Sequence, residues 1–265
     1  MAFYGGMDTN YSRVVDTHAH ICDPVFDQDR AEVLRRARNA GVAAVIAVGE
    51  SMSDAERNLE LATRYPEIRP AAGLYPTRLD IGEAEKTISL VREKRDLLVA
   101  IGEVGLDYWV VKEEAERELQ REIFVGFIQL SLELGLPLNV HSRSAGRHAI
   151  ALLLERSAKG VQLHAFDGKA ATALPAVEAG YFFSIPPSIV RSRQKQKLVK
   201  QLPLSSLLIE TDSPVLGPEG DERNEPANAL IAVQAIAEIK GVRRDEVAEA
   251  AANNTRSLYR GLGVY

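Results

Sequence analysis

Cysteine is nearly missing: Cys22 is the only one in 265 residues, so no internal disulfide can form. That usage fits a reducing compartment and sets aside a disulfide-stapled scaffold. No apolar run approaches the roughly 20 residues that a membrane-crossing helix needs. The N-terminus has no basic segment followed by a long apolar stretch, so no secretory signal is read and a cytoplasmic location is expected. Tandem repeats, low-complexity tracts and Pro/Gly/Ser linkers are also lacking. Charge of one sign is not in excess: the formal net charge is −5. This excludes coating nucleic acid by bulk charge but leaves room for a local phosphate site. What remains is ordinary for a globular chain, with 46% apolar and 26% charged residues.

Residues 1–10 read as a short irregular tail, and 11–265 as one domain. Short runs rich in Val, Ile, Leu and Ala fall at 13–17, 42–48, 69–73, 98–102, 137–141, 161–165, 180–184 and 207–211. Such runs suit strands buried on both faces. Helix-length segments alternate with them at 27–40, 54–65, 83–95, 113–134, 146–158, 189–201, 226–239, 243–252 and 253–261. Gly41, Gly135, Gly160 and Gly180 stand just before strands, where helices end. Eight strand–helix units predict a (β/α)8 TIM barrel, with a doubly wound open sheet as the alternative.

Histidine is scarce too, at five residues, and four of the five follow strand-like runs: His18, His20, His141 and His164. Glu103 and Asp212 end two further runs. The spacing of His18 and His20 places both on one face of a strand. In a barrel the C-terminal strand ends form one mouth, so these residues are expected to converge there as a metal-hydrolase site. Each also has a structural reading, as a packed histidine, a solvated carboxylate or a helix cap. Two divalent ions would balance Glu103 and Asp212 and leave positive charge for hydroxide and an anionic substrate. Four imidazoles favour Zn²⁺, Mn²⁺, Co²⁺ or Ni²⁺ over Mg²⁺. Cys22 reads as a packed side chain rather than a ligand, and His148, which ends no strand, as structural or exposed.

The motifs Asp16-Thr17-His18-Ala19-His20, Ile101-Gly102-Glu103-Val104-Gly105-Leu106-Asp107, Asn139-Val140-His141-Ser142-Arg143, Leu163-His164-Ala165-Phe166 and Glu210-Thr211-Asp212-Ser213-Pro214 together resemble the TatD family of metal-dependent deoxyribonucleases. Asn224-Glu225-Pro226 and the closing stretch from Asn253 to Tyr259 extend the resemblance, which runs from about Val14 to Leu262. It implies a dinuclear centre in which His18, His20, Glu103 and Asp212 hold one ion and Glu103, His141 and His164 the other. It further implies Mg²⁺, phosphodiester hydrolysis in DNA, commonly from single-stranded or 3′ ends in the 3′→5′ direction, and no obligate protein partner. Asp212 and Glu103 would then be the catalytic carboxylates. The chain departs from the family pattern in Gly73-Leu74-Tyr75-Pro76, where a histidine is common, in Asp167 of His164-Ala165-Phe166-Asp167-Gly168, and in Ile185-Pro186-Pro187-Ser188. Tyr75 either contacts substrate or fills the mouth. Arg143 is the candidate phosphate-binding fork. The basic run of Arg191, Arg193, Lys195, Lys197 and Lys200 reads as a solvated helix face whose first members could track a phosphate backbone. Competing functions are another ester, amide or phosphoester hydrolase on the same scaffold, and a metal-holding module without catalysis.

Overall fold

Alternating strands and helices cover both faces of a parallel sheet, and only closing that sheet leaves no strand with an unpaired edge. The computed structural model describes residues 14–262, and the tail expected at 1–10 lies outside them. Eight parallel strands neighbour one another in chain order: β1 (Val14–Ala19), β2 (Val42–Ala47), β3 (Ile68–Ala72), β4 (Ala100–Gly105), β5 (Leu138–His141), β6 (Val161–Leu163), β7 (Phe182–Ile185) and β8 (Leu207–Ile209). Sequential order without reversal excludes the doubly wound sheet, whose strand order turns back at a switch point. The seam between β8 and β1 is joined by Thr17 Oγ1 donating to Ile209 O at 2.9 Å, Asp212 N to His18 O at 2.8 Å and His20 N to Ser213 O at 2.8 Å.

Helices α1 (Arg30–Ala40), α2 (Met52–Arg64), α3 (Ile81–Lys94), α4 (Glu114–Leu134), α5 (Gly146–Glu155), α6 (Ala170–Glu178), α7 (Arg193–Gln201), α8 (Ala229–Lys240) and α9 (Arg244–Leu258) surround the strands. Their starts follow capping chemistry. Ser51 accepts from Asp54 N while Asp54 accepts from Glu50 N, and the Asp80 and Ser192 side chains accept from Glu83 N and Lys195 N. These bonds satisfy amides that the first helical turn leaves without a partner.

Strand side chains such as Val45, Ile101, Leu163 and Leu207 pack on helix residues such as Leu34, Phe124, Leu153 and Leu198. Their opposite-facing neighbours form a second cluster, with Val15, Ile46, Ala71 and Leu208 meeting Leu258, Tyr259 and Leu262. The end of α9 and the turn after it thus plug the barrel interior. The expectation of two helices at 243–252 and 253–261 is corrected here, because one helix runs from Arg244 through Leu258. Asn253 and Asn254 are poor mid-helix residues, but Asn254 Nδ2 donates to Leu204 O and Leu207 O, both at 2.8 Å. These tertiary bonds outweigh its local propensity. The expected helices at 189–201 and 226–239 likewise each begin with a separate 3₁₀ turn, Pro187–Val190 and Pro226–Asn228. No helix among the described residues is long and apolar enough to cross a membrane.

Candidate metal centre at the barrel mouth

The strand ends deliver their polar residues to one cavity of about 400 Å³, lined in part by His20, Glu103, His141, His164 and Asp212. All six residues read as ligands from the sequence converge there: His18 completes one group with His20 and Asp212, and Glu103, His141 and His164 form a second. Glu103 lies between the groups. Its Oε1 is 2.6 Å from His141 Nδ1 and 2.8 Å from His164 Nε2, while Oε2 is 3.4 Å from His20 Nε2 and 3.7 Å from His18 Nε2. Asp212 Oδ1 lies 3.4 Å from His18 Nε2 and 3.5 Å from His20 Nε2.

Outer partners decide which imidazole nitrogen faces inward. His18 Nδ1 is 2.8 Å from Asn139 Oδ1, which can only accept, so Nδ1 carries a hydrogen and Nε2 is the atom turned toward the cluster. His141 Nε2 is 3.0 Å from Asp107 Oδ2, which leaves its Nδ1 toward Glu103. Asn139 in turn donates to Thr17 O, and Asp107 Oδ1 accepts from Trp109 N and Val110 N, each at 2.8 Å. The first-named tie belongs to a buried polar layer beneath the site. There Glu210 accepts from Ala165 N and from Ser184 Oγ, and Tyr259 Oη donates to Gln162 Oε1.

The unfinished bonding tests whether these residues fit cations. Glu103 Oε2 and His164 Nδ1 are buried without a hydrogen-bond partner, a costly state for polar atoms removed from water. Ring nitrogens face each other at 3.3 Å between His18 and His20 and at 3.1 Å between His141 and His164. Such separations suit neighbouring ligands on an ion with bonds of about 2.0–2.1 Å. Electrostatics agree. Burial alone would raise the Glu103 carboxyl, but the His164 and His141 imidazoles hold it well below the usual carboxylate range. Asp212 is likewise held low against burial by His18 and His20. Burial is outweighed at His18, pushed up to about 10 by Asp212 and Glu103, and at His141, pushed up to about 9 by Asp107 and Glu103. The donors fit divalent cations, and when none is bound His18, His20 and His141 are all shifted toward their protonated forms.

The backbone is shaped for this convergence. Gly105 has φ +143, and a Cβ there would sit 2.1 Å from the His141 carbonyl oxygen. Only glycine lets β4 pass β5 this closely beside two ligands. Asp212 adopts φ 55, a left-handed conformation that aspartate tolerates better than most residues.

A model of the family described as "TatD related DNase" matches residues 15–260. The chain belongs to the TatD family. The human "Deoxyribonuclease TATDN3" is 45% identical over 258 residues, covering 93% of this chain and 94% of the human one. "Uncharacterized metal-dependent hydrolase YabD" of Bacillus subtilis is 32% identical, with 92% and 98% covered. The crystal structure of YJJV, a TatD homologue from Escherichia coli, superposes with a TM-score of 0.87 at 29% identity, over 94% of this chain and 98% of that one. The TatD fold therefore matches this barrel nearly end to end.

Other expectations meet the structure more unevenly. Arg143 is exposed on the cavity wall with no carboxylate partner among the described residues, and its guanidinium carbon lies 5.2 Å from the centre of the Trp109 ring. Tyr75 lines the same cavity, its ring edge-on to His141 at 5.1 Å. Asp167 also lines it, but one of its oxygens is taken by Ser144 N at 2.9 Å. His148 is exposed and Cys22 is buried, as expected. Burial pushes the Cys22 thiol up to about 12, so it carries no thiolate near neutrality. Lys195 is where the solvated-face reading fails. It is 7% exposed, its Nζ donates to Ala165 O at 2.9 Å, and it lines the cavity. Glu50 at the rim, Asp107, Asn139 and Glu210 were given no role from the sequence. Glu50 follows β2 closely, so the strand-end rule that found Glu103 could have found it.

Proposed function

We propose that this chain is a metal-dependent deoxyribonuclease that hydrolyses phosphodiester bonds from single-stranded or 3′ ends, using two divalent ions shared by Glu103. One observation carries the reading: a single carboxylate turns one oxygen toward His141 and His164 and leaves the other, without a hydrogen bond, toward His18 and His20. The names of its relatives, deoxyribonuclease and metal-dependent hydrolase, support it. In this reading His18, His20, Glu103 and Asp212 hold one ion, and Glu103, His141 and His164 the other. When bound, the pair supplies Lewis acidity that acidifies water and offsets charge building on the phosphoryl group.

The protein groups do the rest. Asp212 accepts the proton of the attacking water and orients it in line with the leaving oxygen. Arg143 grips a non-bridging phosphate oxygen by charge-assisted hydrogen bonds, and Tyr75 bounds the substrate beside His141. Lys195 adds a second cation on the cavity wall. The imidazole-rich set favours Zn²⁺, Mn²⁺, Co²⁺ or Ni²⁺, whereas family resemblance favours Mg²⁺. A buried lone thiol is at ease in the cytoplasm.

The test is hydrolysis of single-stranded DNA, RNA and small esters after EDTA treatment, with each ion added back singly. DNA cleavage is expected to vanish with EDTA and return with at least one ion. Asp212→Asn is expected to lower turnover about 10²–10⁴-fold with an unchanged circular-dichroism spectrum. Preference for an ester or amide would move the assignment to another hydrolase on this scaffold. Metal binding without turnover of any substrate would leave a non-catalytic module.

A further inference from the structure

Trp109 is the chain's only tryptophan, and it stands 58% exposed just past β4. A side chain of this size is ordinarily buried for most of its surface, and the neighbouring Val110 is 54% exposed as well. Yet the segment is firmly held. Asp107 Oδ1 accepts from both Trp109 N and Val110 N at 2.8 Å, and Tyr108 N donates to Arg143 O at 3.0 Å. Through its other oxygen Asp107 is bonded to His141, so the indole is tied to the candidate metal centre by one side chain.

Two cations attend the ring. Arg143 Cζ and Lys112 Nζ each lie 5.2 Å from its centre, near the outer range of a cation–π contact. An exposed aromatic plane on a fixed backbone, flanked by cations of which one, Arg143, lines the cavity, is an arrangement that receives single-stranded nucleic acid.

Resting on the deoxyribonuclease reading above, we infer that Trp109 is a stacking platform for an unpaired nucleobase next to the scissile phosphate, with Arg143 on that phosphate and Lys112 on the one flanking it. Stacking requires a free base face. A base inside a duplex has both faces covered, so the platform selects single strands and frayed ends. It also supplies a local grip on a polyanion that the net charge of −5 does not attract by itself.

Because no other tryptophan contributes, indole emission reports on this residue alone. The probe is a short, fluorescein-labelled, phosphorothioate oligodeoxythymidylate, which resists hydrolysis, added to the metal-loaded protein. It is compared with the same oligomer ending in an abasic residue at its 3′ end. The thymine-ended oligomer is expected to quench the emission more strongly and, by anisotropy, to bind about tenfold more tightly. Trp109→Ala is expected to bind both oligomers equally and weakly, and Trp109→Phe to keep part of the discrimination. Equal quenching and affinity for both oligomers in the native protein would overturn the platform while leaving the nuclease reading intact. So would discrimination that survives in Trp109→Ala. Failure of the native protein to bind either oligomer would overturn both.

Discussion

At the residue scale, a ligand's chemistry depends on what stands behind it. His141 can direct Nδ1 toward Glu103 only because Nε2 has Asp107 as its partner at 3.0 Å. Asp107→Ala is therefore expected to weaken metal binding about 10–100-fold, measured by competition with a chromogenic chelator. An affinity unchanged from the parent would show that packing alone holds the ring. The ligand types and their strand-end positions were legible in the sequence, because a polar residue closing an apolar run has few structural uses. Their partners were not. Asp107 and Asn139 lie inside quoted motifs, but nothing in one chain says which imidazole each will meet. Lys195 was misread for a related reason: a basic run on a helix looks solvated until the fold sets one of its members against the Ala165 carbonyl.

Elements add a second constraint, that backbones approach closely enough to bring ligands together. β4 and β5 run within contact at Gly105, where any side chain would collide with the His141 carbonyl. Gly105→Ala is expected to destabilise the protein by about 3 kcal/mol or more, from overpacking plus an unfavourable φ. The urea midpoint reads this directly, and a loss below about 1 kcal/mol would mean that the strands can part at little cost. Strand and helix periodicities were legible throughout the barrel, since both patterns follow from local geometry. The end of the chain was less so. Helices are expected at 243–252 and 253–261, and one helix runs through, with Asn254 paired to the β8 approach.

At the scale of the whole molecule, eight strand ends concentrate charge in one mouth, and its protonation is collective. His18 and His141, pushed up to about 10 and about 9 from an ordinary 6.5, both hold protons at pH 7 in the metal-free protein. Ligation needs those lone pairs, so binding is expected to release protons and apparent affinity to rise with pH across the neutral range. Calorimetry in buffers of different ionisation enthalpy checks this, and zero net proton release would refute it. The metal-free protein should trend the other way. A raised folded-state pKa gives stability that is complete below about 6.5 and is lost as pH climbs through about 9–10. Opposite slopes for the metal-free and metal-loaded forms in thermal melts would separate the two effects.

The amino-acid order by itself determined the repeating strand–helix units and the caps and glycines that end them. It also placed imidazoles and carboxylates where strands stop, because local periodicity and turn chemistry operate over a few neighbouring residues. Only the tertiary structure decided which nitrogen each histidine offers, how Glu103 divides its oxygens, and that Lys195 turns inward. It alone set Trp109 beside Arg143. Those outcomes depend on contacts between segments from different strands, whose distances arise when β8 meets β1 and the barrel closes.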